Sequence, residues 1–204
     1  MYALVENNQF VKIVNSSKGI TIGDNQYPKS IYSLWSNAER EAIGIYEVSV
    51  DNTNKKDEEY YINTDISYSF DGSSVIGSYG TPTPKPLDDV LFVEGDEDMP
   101  SDKAVGDVKQ YGLKGQKISI IKQQAGGLLA PTDWYVIKAN EVADYSVPTD
   151  IATYRANVRA KSNEMENQIN ACTTVDELKA LYEYSEDAEG NVSRPLAEFP
   201  LEVL

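Results

Sequence analysis

The strongest local signals of this chain lie in residues 126–171, which read GGLLAPTDWYVIKANEVADYSVPTDIATYRANVRAKSNEMENQINA. The opening Gly-Gly pair and Pro131 interrupt regular structure and predict a loop. The run from Trp134 to Ile137 is aromatic and β-branched over the length of a short strand, and it predicts one. Pro148 has the fixed φ of a first helical turn. The stretch is therefore predicted to run loop, strand, loop, helix.

The predicted helix covers about residues 149–172 and carries one narrow apolar stripe. Its apolar side chains recur at spacings of three, four and seven residues: Ile151, Tyr154, Val158, Met165, Ile169 and Cys172. Charged side chains lie off this stripe: Arg155, Arg159, Lys161, Glu164 and Glu166. The spacing suits packing within the protein's own domain, and it also suits a partner helix in a coiled coil. The ordinary length of the helix favours the first arrangement.

Composition bounds the class of protein. The chain has 204 residues, of which 41% are hydrophobic, and can bury the core of one or two domains. Its 33 acidic and 18 basic residues give a formal charge of −15, without a cluster of Lys and Arg, so no nucleic-acid partner is expected. The sequence has no apolar run that could span a membrane, and its start lacks the features of a signal peptide. We therefore expect a protein made in the cytoplasm, with no membrane partner.

Histidine is absent from the sequence, and Cys172 is the only cysteine. These facts exclude Ser-His-Asp and Cys-His catalysis, histidine-ligated metals, an internal disulfide and a thiolate metal cluster. Cys172 lies on the apolar stripe and is interpreted as a small buried hydrophobe. Only carboxylate, lysine or tyrosine chemistry remains. Because the sequence singles out no pair of carboxylates, we expect no catalytic residue, no metal and no cofactor.

Residues 1–80 are predicted to form a β-rich N-terminal domain. The spacing of its apolar runs predicts a hairpin, a third strand and then a meander. The strands are expected at residues 1–5, 9–14, 20–22, 45–50, 60–63, 67–70 and 75–79, with a tight turn at Asp71-Gly72.

One short helix is predicted within these strands. Ser36 is followed three residues later by Glu39, which together form a capping box, and Gly44 suits the C′ position. Trp35 directly precedes the box. We interpret it as an anchor for this helix rather than as a ligand-binding side chain.

The chain changes character after residue 80. Alternating prolines at residues 81–86 predict a stiff linker. Residues 88–102 hold seven carboxylates around the apolar run Val90 to Val93, and they predict an acidic insertion with a short strand or turn. Metal binding by these carboxylates is the alternative. Residues 81–102 are thus interpreted as a linker and insertion between two domains.

Residues 103–184 are predicted to form a C-terminal α/β module. Gly106, Gly112 and Gly115 would each cost about 1 kcal/mol inside a helix, so a helix is predicted only from about Lys117. Beyond it the module is expected to hold the strand at 134–137 and the helix at 149–172.

A second capping box, formed by Thr174 and Glu177, begins a short helix that is predicted to fold back on the helix at 149–172 as a helical hairpin. Residues 185–204 are predicted to form an acidic tail. Its apolar residues suggest docking: Phe199, Leu201, Val203 and Leu204. The predicted fold class is α+β, with a small β-rich domain, a proline linker, and a strand plus a helical hairpin.

The chain resembles proteins of tailed bacteriophages. Its C-terminal half resembles a module that is common in tail-fibre and tail-fibre-assembly proteins. Four features carry this resemblance: LLAPTDWYVIK at 128–138, the VP turn, the helix with Tyr154-Arg155 and Arg159, and TTVDEL at 173–178. An N-terminal module that occurs beside it resembles ITIGDNQYPKSIYSLWSNAEREAIGIYEV at 20–48. Relatives tend to run an uninterrupted amphipathic helix into LLAPTDW, whereas this chain has three glycines there and residues 88–102 look inserted. The resemblance implies a structural or assembly role beside the tail fibre or baseplate, with no catalytic residues to carry over.

Three functions are compatible with these observations. The first is a non-enzymatic structural protein of the phage tail or baseplate that binds or attaches a tail fibre, located in the virion and made in the host cytoplasm. The second is a soluble tail-fibre assembly chaperone, absent from the mature virion, whose acidity would keep a fibre end in solution. The third is a carboxylate-based glycan hydrolase. We expect the first.

Candidate partner-binding residues are apolar and aromatic side chains of the C-terminal half. They are Trp134, Tyr135, Tyr154, Val158, Met165, Ile169, Phe199 and Leu201. The expected partners are other phage tail proteins, namely a fibre, baseplate or adaptor protein, or a second copy of the chain. Trp134→Ala would cost about 3–5 kcal/mol of stability if the indole were core, and little if it were an exposed interface anchor.

Overall fold

The chain folds into two compact units, residues 1–83 and 84–204. The structure is a computed structural model that describes residues 1–201, so the predicted tail residues Val203 and Leu204 lie outside the described residues. Strands dominate the first unit and helices the second, which confirms the predicted α+β class. The division falls within the proline-rich segment at 81–86.

The first unit contains eight strands and two short helices before it reaches the boundary. In chain order these elements are β1 (Tyr2–Glu6), β2 (Gln9–Val14), β3 (Ile20–Ile22), β4 (Asn25–Tyr27), α1 (Ile31–Leu34), α2 (Asn37–Glu41), β5 (Ile45–Asp51), β6 (Tyr61–Ile62), β7 (Ile66–Phe70) and β8 (Val75–Tyr79), followed by β9 (Thr83–Pro84). The predicted strands are all present. The prediction of one helix is wrong, because α1 precedes the capped helix α2.

Five strands form one sheet in the order β2-β1-β5-β8-β7. Its pairs are antiparallel except β5 with β8, which is parallel, so the predicted simple meander is wrong. The reason is that β7 and β8 form a hairpin whose second strand inserts beside β5. The sheet curls until its edge strands approach, and the rings of Phe10 on β2 and Tyr68 on β7 stack with centroids 5.1 Å apart.

The sheet buries apolar side chains on both faces, as alternation along its strands requires. Leu4 and Ile45 belong to one face, where they pack with Ile31 of α1 and Ile20 of β3. The opposite, concave face buries Ala3, Val5 and Val75 beneath half-buried aromatic rings: Phe10, Tyr46, Tyr68 and Phe70. Alternate residues of one strand thereby serve two cores.

The predicted cap of α2 is confirmed. Ser36 Oγ accepts from the Glu39 N–H, and the Glu39 carboxylate accepts from the Ser36 N–H at 2.8 Å, a bond that lowers the pKa of Glu39. Gly44 follows with φ of +82°. Trp35 packs into the core beside Tyr27, which supports its interpretation as an anchor.

The turn between β7 and β8 depends on Asp71. Its carboxylate accepts hydrogen bonds from the backbone N–H and hydroxyl groups of Ser73 and Ser74, which lower its pKa to about 2. A depressed pKa contributes stability above the unfolded-state value near 3.8 that is lost as the pH falls toward 2. We predict that Asp71→Asn lowers the melting temperature at neutral pH and flattens its decline over this acid range. Thermal unfolding of both proteins across that range measures the difference, and parallel declines would contradict the prediction.

The second unit is built around three helices of nine or more residues. In chain order its elements are β10 (Val90–Leu91), β11 (Val108–Gln110), α3 (Leu113–Leu129), a 3₁₀ turn (Ala130–Thr132), α4 (Asp133–Glu141), α5 (Thr149–Ala171), α6 (Val175–Ala180), β12 (Ser185–Glu186) and β13 (Val192–Ser193). The predicted long helix, the capping box of α6 and the short strand at Val90 are confirmed. None of the helices in residues 1–201 has the length and apolar character needed to cross a membrane.

The apolar stripe of α5 packs within the second unit, on the antiparallel helix α3. Tyr154 near the start of α5 lies beside Leu128 near the end of α3, whereas Glu166 near the end of α5 pairs with Lys122 at 3.2 Å. All six stripe residues are buried: Ile151, Tyr154, Val158, Met165, Ile169 and Cys172. The helix that packs antiparallel on α5 is therefore α3, from which α4 separates it in sequence, and the prediction of a hairpin between α5 and the short helix after residue 174 is corrected.

Helix α3 begins four residues before the predicted start at Lys117 because a distant segment caps it. The N–H groups of Leu113 and Lys114 donate to the carbonyls of residues 86 and 87, and the Gly112 N–H donates to the Asp89 carboxylate at 2.8 Å. A Cβ on Gly112 would lie 2.3 Å from the Asp88 carbonyl oxygen, and one on Gly115 2.2 Å from the Asp89 carboxylate. Because these two glycines have no side chain, the capping segment can approach the backbone of α3. They therefore lie at the start of the helix and do not interrupt it.

The predicted loop at Gly126 and Gly127 is instead the last part of α3. A Cβ at Gly126 would meet no atom within 4 Å. Since alanine is the better helix former, Gly126→Ala should raise the free energy of unfolding by about 0.5–1 kcal/mol. Gly112→Ala is the matched control and should lower it by about 1–3 kcal/mol, because its Cβ has no space. Urea unfolding measures both, and a destabilised Gly126→Ala protein would support a loop.

Of the residues predicted to dock the tail, Phe199 packs within the second unit, whereas Leu201 is 90% exposed. Leu196 is 2% exposed, and Gln168 of α5 hydrogen-bonds both to the Pro195 carbonyl and to the Ala197 N–H at 2.9 Å. Phe199 then packs against the cluster formed by α3 and α5. The tail is thereby fixed to the long helix by side chains and backbone.

Candidate interaction surface

Residues 134–137 are helical, so the strand predicted for them is wrong. They lie in α4, which follows the 3₁₀ turn at Pro131. Aromatic and β-branched side chains favour strands only where a neighbouring strand pairs with them. Among the described residues, the strands of the second unit are two or three residues long and pair with one another. A helix satisfies the backbone hydrogen bonds of this segment internally, and it does so without a partner strand.

Helix α4 contains no buried residue. Trp134 is 50% exposed, Val136 43%, Ile137 56% and the following Val142 46%. We call these four side chains the α4 surface. A helix of a globular domain ordinarily buries its apolar side chains, so the exposure of these four makes α4 a candidate interaction site.

Arg155 holds α4 in place. The residue is 7% exposed, and its guanidinium donates to the Leu129 carbonyl at 2.9 Å, to Thr132 Oγ1 at 2.6 Å and to the Asp133 carboxylate at 2.8 Å. These acceptors lie at the end of α3, in the 3₁₀ turn and in the first turn of α4. One buried cation of α5 therefore fixes the angle at which α4 leaves α3.

A groove of about 420 Å³ runs beside α4. It is lined by Pro131, Thr132, Trp134, Tyr135, Pro148, Asp150 and Ile151, which we call the α4 groove. The rings of Trp134 and Tyr135 lie 4.0 Å apart at their centroids and tilt by 34°. Two aromatic rings and two proline rings thus line this groove together with the polar side chains of Thr132 and Asp150.

The charge around this surface is negative. Glu141, Asp144 and Asp150 are exposed and have no ion pair within the described residues. Lys138 is the basic residue of α4, and its ammonium lies 5.5 Å from the Trp134 ring centroid and 4.2 Å from that of Tyr145. A cation beside an aromatic ring keeps its charge, so Lys138 offsets part of the charge of these three carboxylates. Asp150 is the one of the three that lines the α4 groove.

The predicted partner-binding residues divide into two groups. Four of them are buried in the protein's own core and are corrected: Tyr154, Val158, Met165 and Ile169. They face α3, which the sequence did not predict to be a continuous helix. Phe199 is half-buried on the same helices. Trp134, Tyr135 and Leu201 remain accessible, with Leu201 90% exposed.

Sequence reasoning missed two parts of the site. Val136 and Ile137 belong to the predicted short strand, and Arg155 is one of the charged residues that the helical pattern puts off the apolar stripe. A helical plot of residues 133–141 would have put Ile137 beside Trp134, three residues earlier, as one possible exposed pair. The burial of Arg155 depends on acceptors 23 and 26 residues away, and no local signal indicates it.

Among the described residues, the carboxyl groups with a displaced pKa do not include a candidate general acid. Those whose pKa is displaced all have it lowered, by hydrogen bonds from nearby side chains and backbone N–H groups: Glu39, Asp51, Asp71, Asp96, Glu177 and Asp187. A general acid needs a raised pKa, so none of these six fits that role. No group of three or more potential metal ligands occurs among residues 1–201. Burial raises the pKa of the Cys172 thiol, which suits a core residue.

Trp134→Ala should have a small effect on folding. Half of the indole is exposed, and its ring contacts Tyr135. We predict a loss of about 1 kcal/mol, well below the roughly 3–5 kcal/mol of a buried tryptophan. Urea unfolding followed by helical circular dichroism measures the change. A loss in the core range would place the indole in the interior and remove it from the α4 surface.

No model of a known protein family, no curated protein and no solved structure matches this chain.

Proposed function

We propose that this chain is a non-enzymatic structural component of a bacteriophage tail or baseplate that binds or attaches a tail fibre. Two observations support the proposal. The LLAPTDWYVIK and ITIGDNQYPKSIYSLWSNAEREAIGIYEV segments resemble modules of tail-fibre and tail-fibre-assembly proteins. The α4 surface, which carries the binding function, is built by the first of these segments.

The central observation is that four apolar side chains stay in solvent on a helix whose orientation is fixed. A mobile, exposed apolar segment promotes aggregation and loses entropy when a partner binds it. Arg155 fixes this segment, so a partner meets it already in one orientation. Trp is also among the residues that contribute most to binding at protein interfaces. The partner is expected to be a fibre, baseplate or adaptor protein of the tail.

The formal charge of −15 favours a second candidate, a soluble tail-fibre assembly chaperone absent from the mature virion. A strongly charged chain stays in solution while it covers an aggregation-prone segment of another protein. Both candidates use the same surface. They differ in whether the chain remains in the finished particle.

Quantitative mass spectrometry of purified particles and of the lysate tests the proposal. A tail component is expected in the particle at a copy number that is a whole multiple of the tail's rotational symmetry. Abundance in the lysate together with absence from the particle would support the chaperone. Absence of any complex with a tail protein in either fraction would overturn both candidates.

A further inference from the structure

The α4 surface and the α4 groove together favour one kind of occupant. The aromatic and proline rings of the groove form its apolar part, which suits an aliphatic, aromatic or proline side chain of an extended segment. Asp150 contributes a carboxylate to the same lining. An apolar side chain and a cation close together in sequence would therefore satisfy both features of the groove.

The charges near the groove determine whether a cationic or an anionic partner segment is favoured. Asp133 is neutralised by Arg155 at 2.8 Å, and Lys138 is held against its own aromatic rings. Asp150, Glu141 and Asp144 have no ion pair among the described residues. The rim of the groove therefore carries the unpaired Asp150 carboxylate, on a chain whose formal charge is −15, so it attracts Lys and Arg and repels carboxylates.

The same charges disfavour a second copy of the chain. A symmetric contact would bring the same acidic rim of two molecules together, each with a formal charge of −15. Like charges that face each other across an interface cost binding free energy. A basic segment of a different protein meets no such penalty.

We infer that the α4 groove binds a cationic segment of another protein, with an apolar side chain between Trp134 and Pro148 and a Lys or Arg on Asp150. This inference rests on the proposed function, because it specifies the chemistry of the partner that the α4 surface contacts. The interaction is part apolar and part electrostatic. Its affinity should consequently fall as salt screens the charges.

A random peptide library displayed against the immobilised full chain tests the inference. The Trp134→Ala/Ile137→Ala double variant serves for counter-selection. Enriched peptides should combine an aromatic, aliphatic or proline residue with Lys or Arg and carry a net positive charge. Neutral or acidic enriched peptides, or no enrichment over the double variant, would overturn the inference.

One enriched peptide is then synthesised with a fluorescent label, and fluorescence anisotropy measures how much individual side chains contribute to its affinity. The double variant should weaken its binding at least about tenfold, in the range of interface anchors. Asp150→Asn should weaken it about threefold and reduce its salt dependence, as for an exposed ion pair. Glu189→Gln, at an exposed carboxylate that does not line the groove, is the matched control and should leave binding unchanged.

Two further outcomes separate this inference from the proposed function. A tail protein that binds through α4 without preference for cationic peptides would overturn this inference alone. Cationic peptides that bind at α4, when particles and lysate hold no complex with a tail protein, would overturn the proposed function alone. Sedimentation of the full chain tests whether a second copy of the chain occupies the groove. A dimer that Ile137→Asp abolishes would show that it does and would overturn the inference.

Discussion

Arg155→Met is expected to lower the free energy of unfolding of the second unit by about 2–4 kcal/mol. The substitution keeps a chain of similar length in the core but removes the donors that satisfy the Leu129 carbonyl, Thr132 Oγ1 and the Asp133 carboxylate. The loss should stay below that of a fully buried ion pair, because the Asp133 side chain is 54% exposed. Urea unfolding followed by helical circular dichroism reports the second unit, since its long helices produce most of that signal.

The matched control for Arg155 is Arg159→Met. Arg159 lies one turn further along α5 and is exposed, so its replacement should change stability by no more than about 0.5 kcal/mol. Arg155→Met should also increase amide hydrogen exchange in α4, because the cation fixes that helix. Equal stability of the two variants would show that the buried network does not hold α4.

Ile169→Ala is expected to cost about 2–5 kcal/mol, as for other truncations of fully buried aliphatic side chains. Ile169 has no exposed surface and lies on the stripe that α5 buries within its own unit. Asn167→Ala, two residues away on the exposed side of the same helix, is the control and should be close to neutral. The same urea unfolding experiment measures both.

The outcome at Ile169 separates two arrangements of α5. If the stripe packs on α3, Ile169→Ala lowers the free energy of unfolding of the isolated chain by the full amount of about 2–5 kcal/mol expected for a buried side chain. If the stripe were instead a coiled-coil seam for a partner, the isolated chain would lose little and only the complex would weaken. A near-neutral Ile169→Ala protein would therefore contradict the packing described for the second unit.

Features with short-range causes could be predicted from the sequence. Both capping boxes, Ser36 with Glu39 and Thr174 with Glu177, act over three residues, and the structure contains both. The stripe from Ile151 to Cys172 also follows from the helical repeat alone. These signals are local, so the residues that carry them suffice to identify them.

Features that depend on distant residues could not be predicted in this way. The start of α3 requires the segment around Asp89, which approaches closely because position 112 has no side chain. From the sequence alone, Gly112 predicts an interruption of the helix. The conformation at Trp134 was assigned by strand propensity, which a tertiary context without a pairing strand overrides.

The candidate site was predicted only in part for the same reason. Trp134 and Tyr135 stand out by composition, and the structure leaves both accessible. Met165 and Ile169 are predicted as partner-binding residues because they are apolar and belong to a stripe that suits either its own domain or a partner helix. In the structure a continuous α3 covers the stripe and removes them from the surface, whereas apolar side chains of α4 stay exposed.

Site-specific photo-cross-linking from α4 tests the central claim most directly. Ile137→p-benzoylphenylalanine places a reactive ketone on the α4 surface of the full chain, and irradiation during phage assembly traps whatever lies against it. Asn167 is the control position, because it is exposed on α5 about 18 Å along the helix from Arg155. We predict a covalent product with a fibre, baseplate or adaptor protein of the tail from position 137 and none from position 167. A product with a tail protein from position 167 alone, or none from position 137, would contradict the assignment of α4 as the surface that binds the tail.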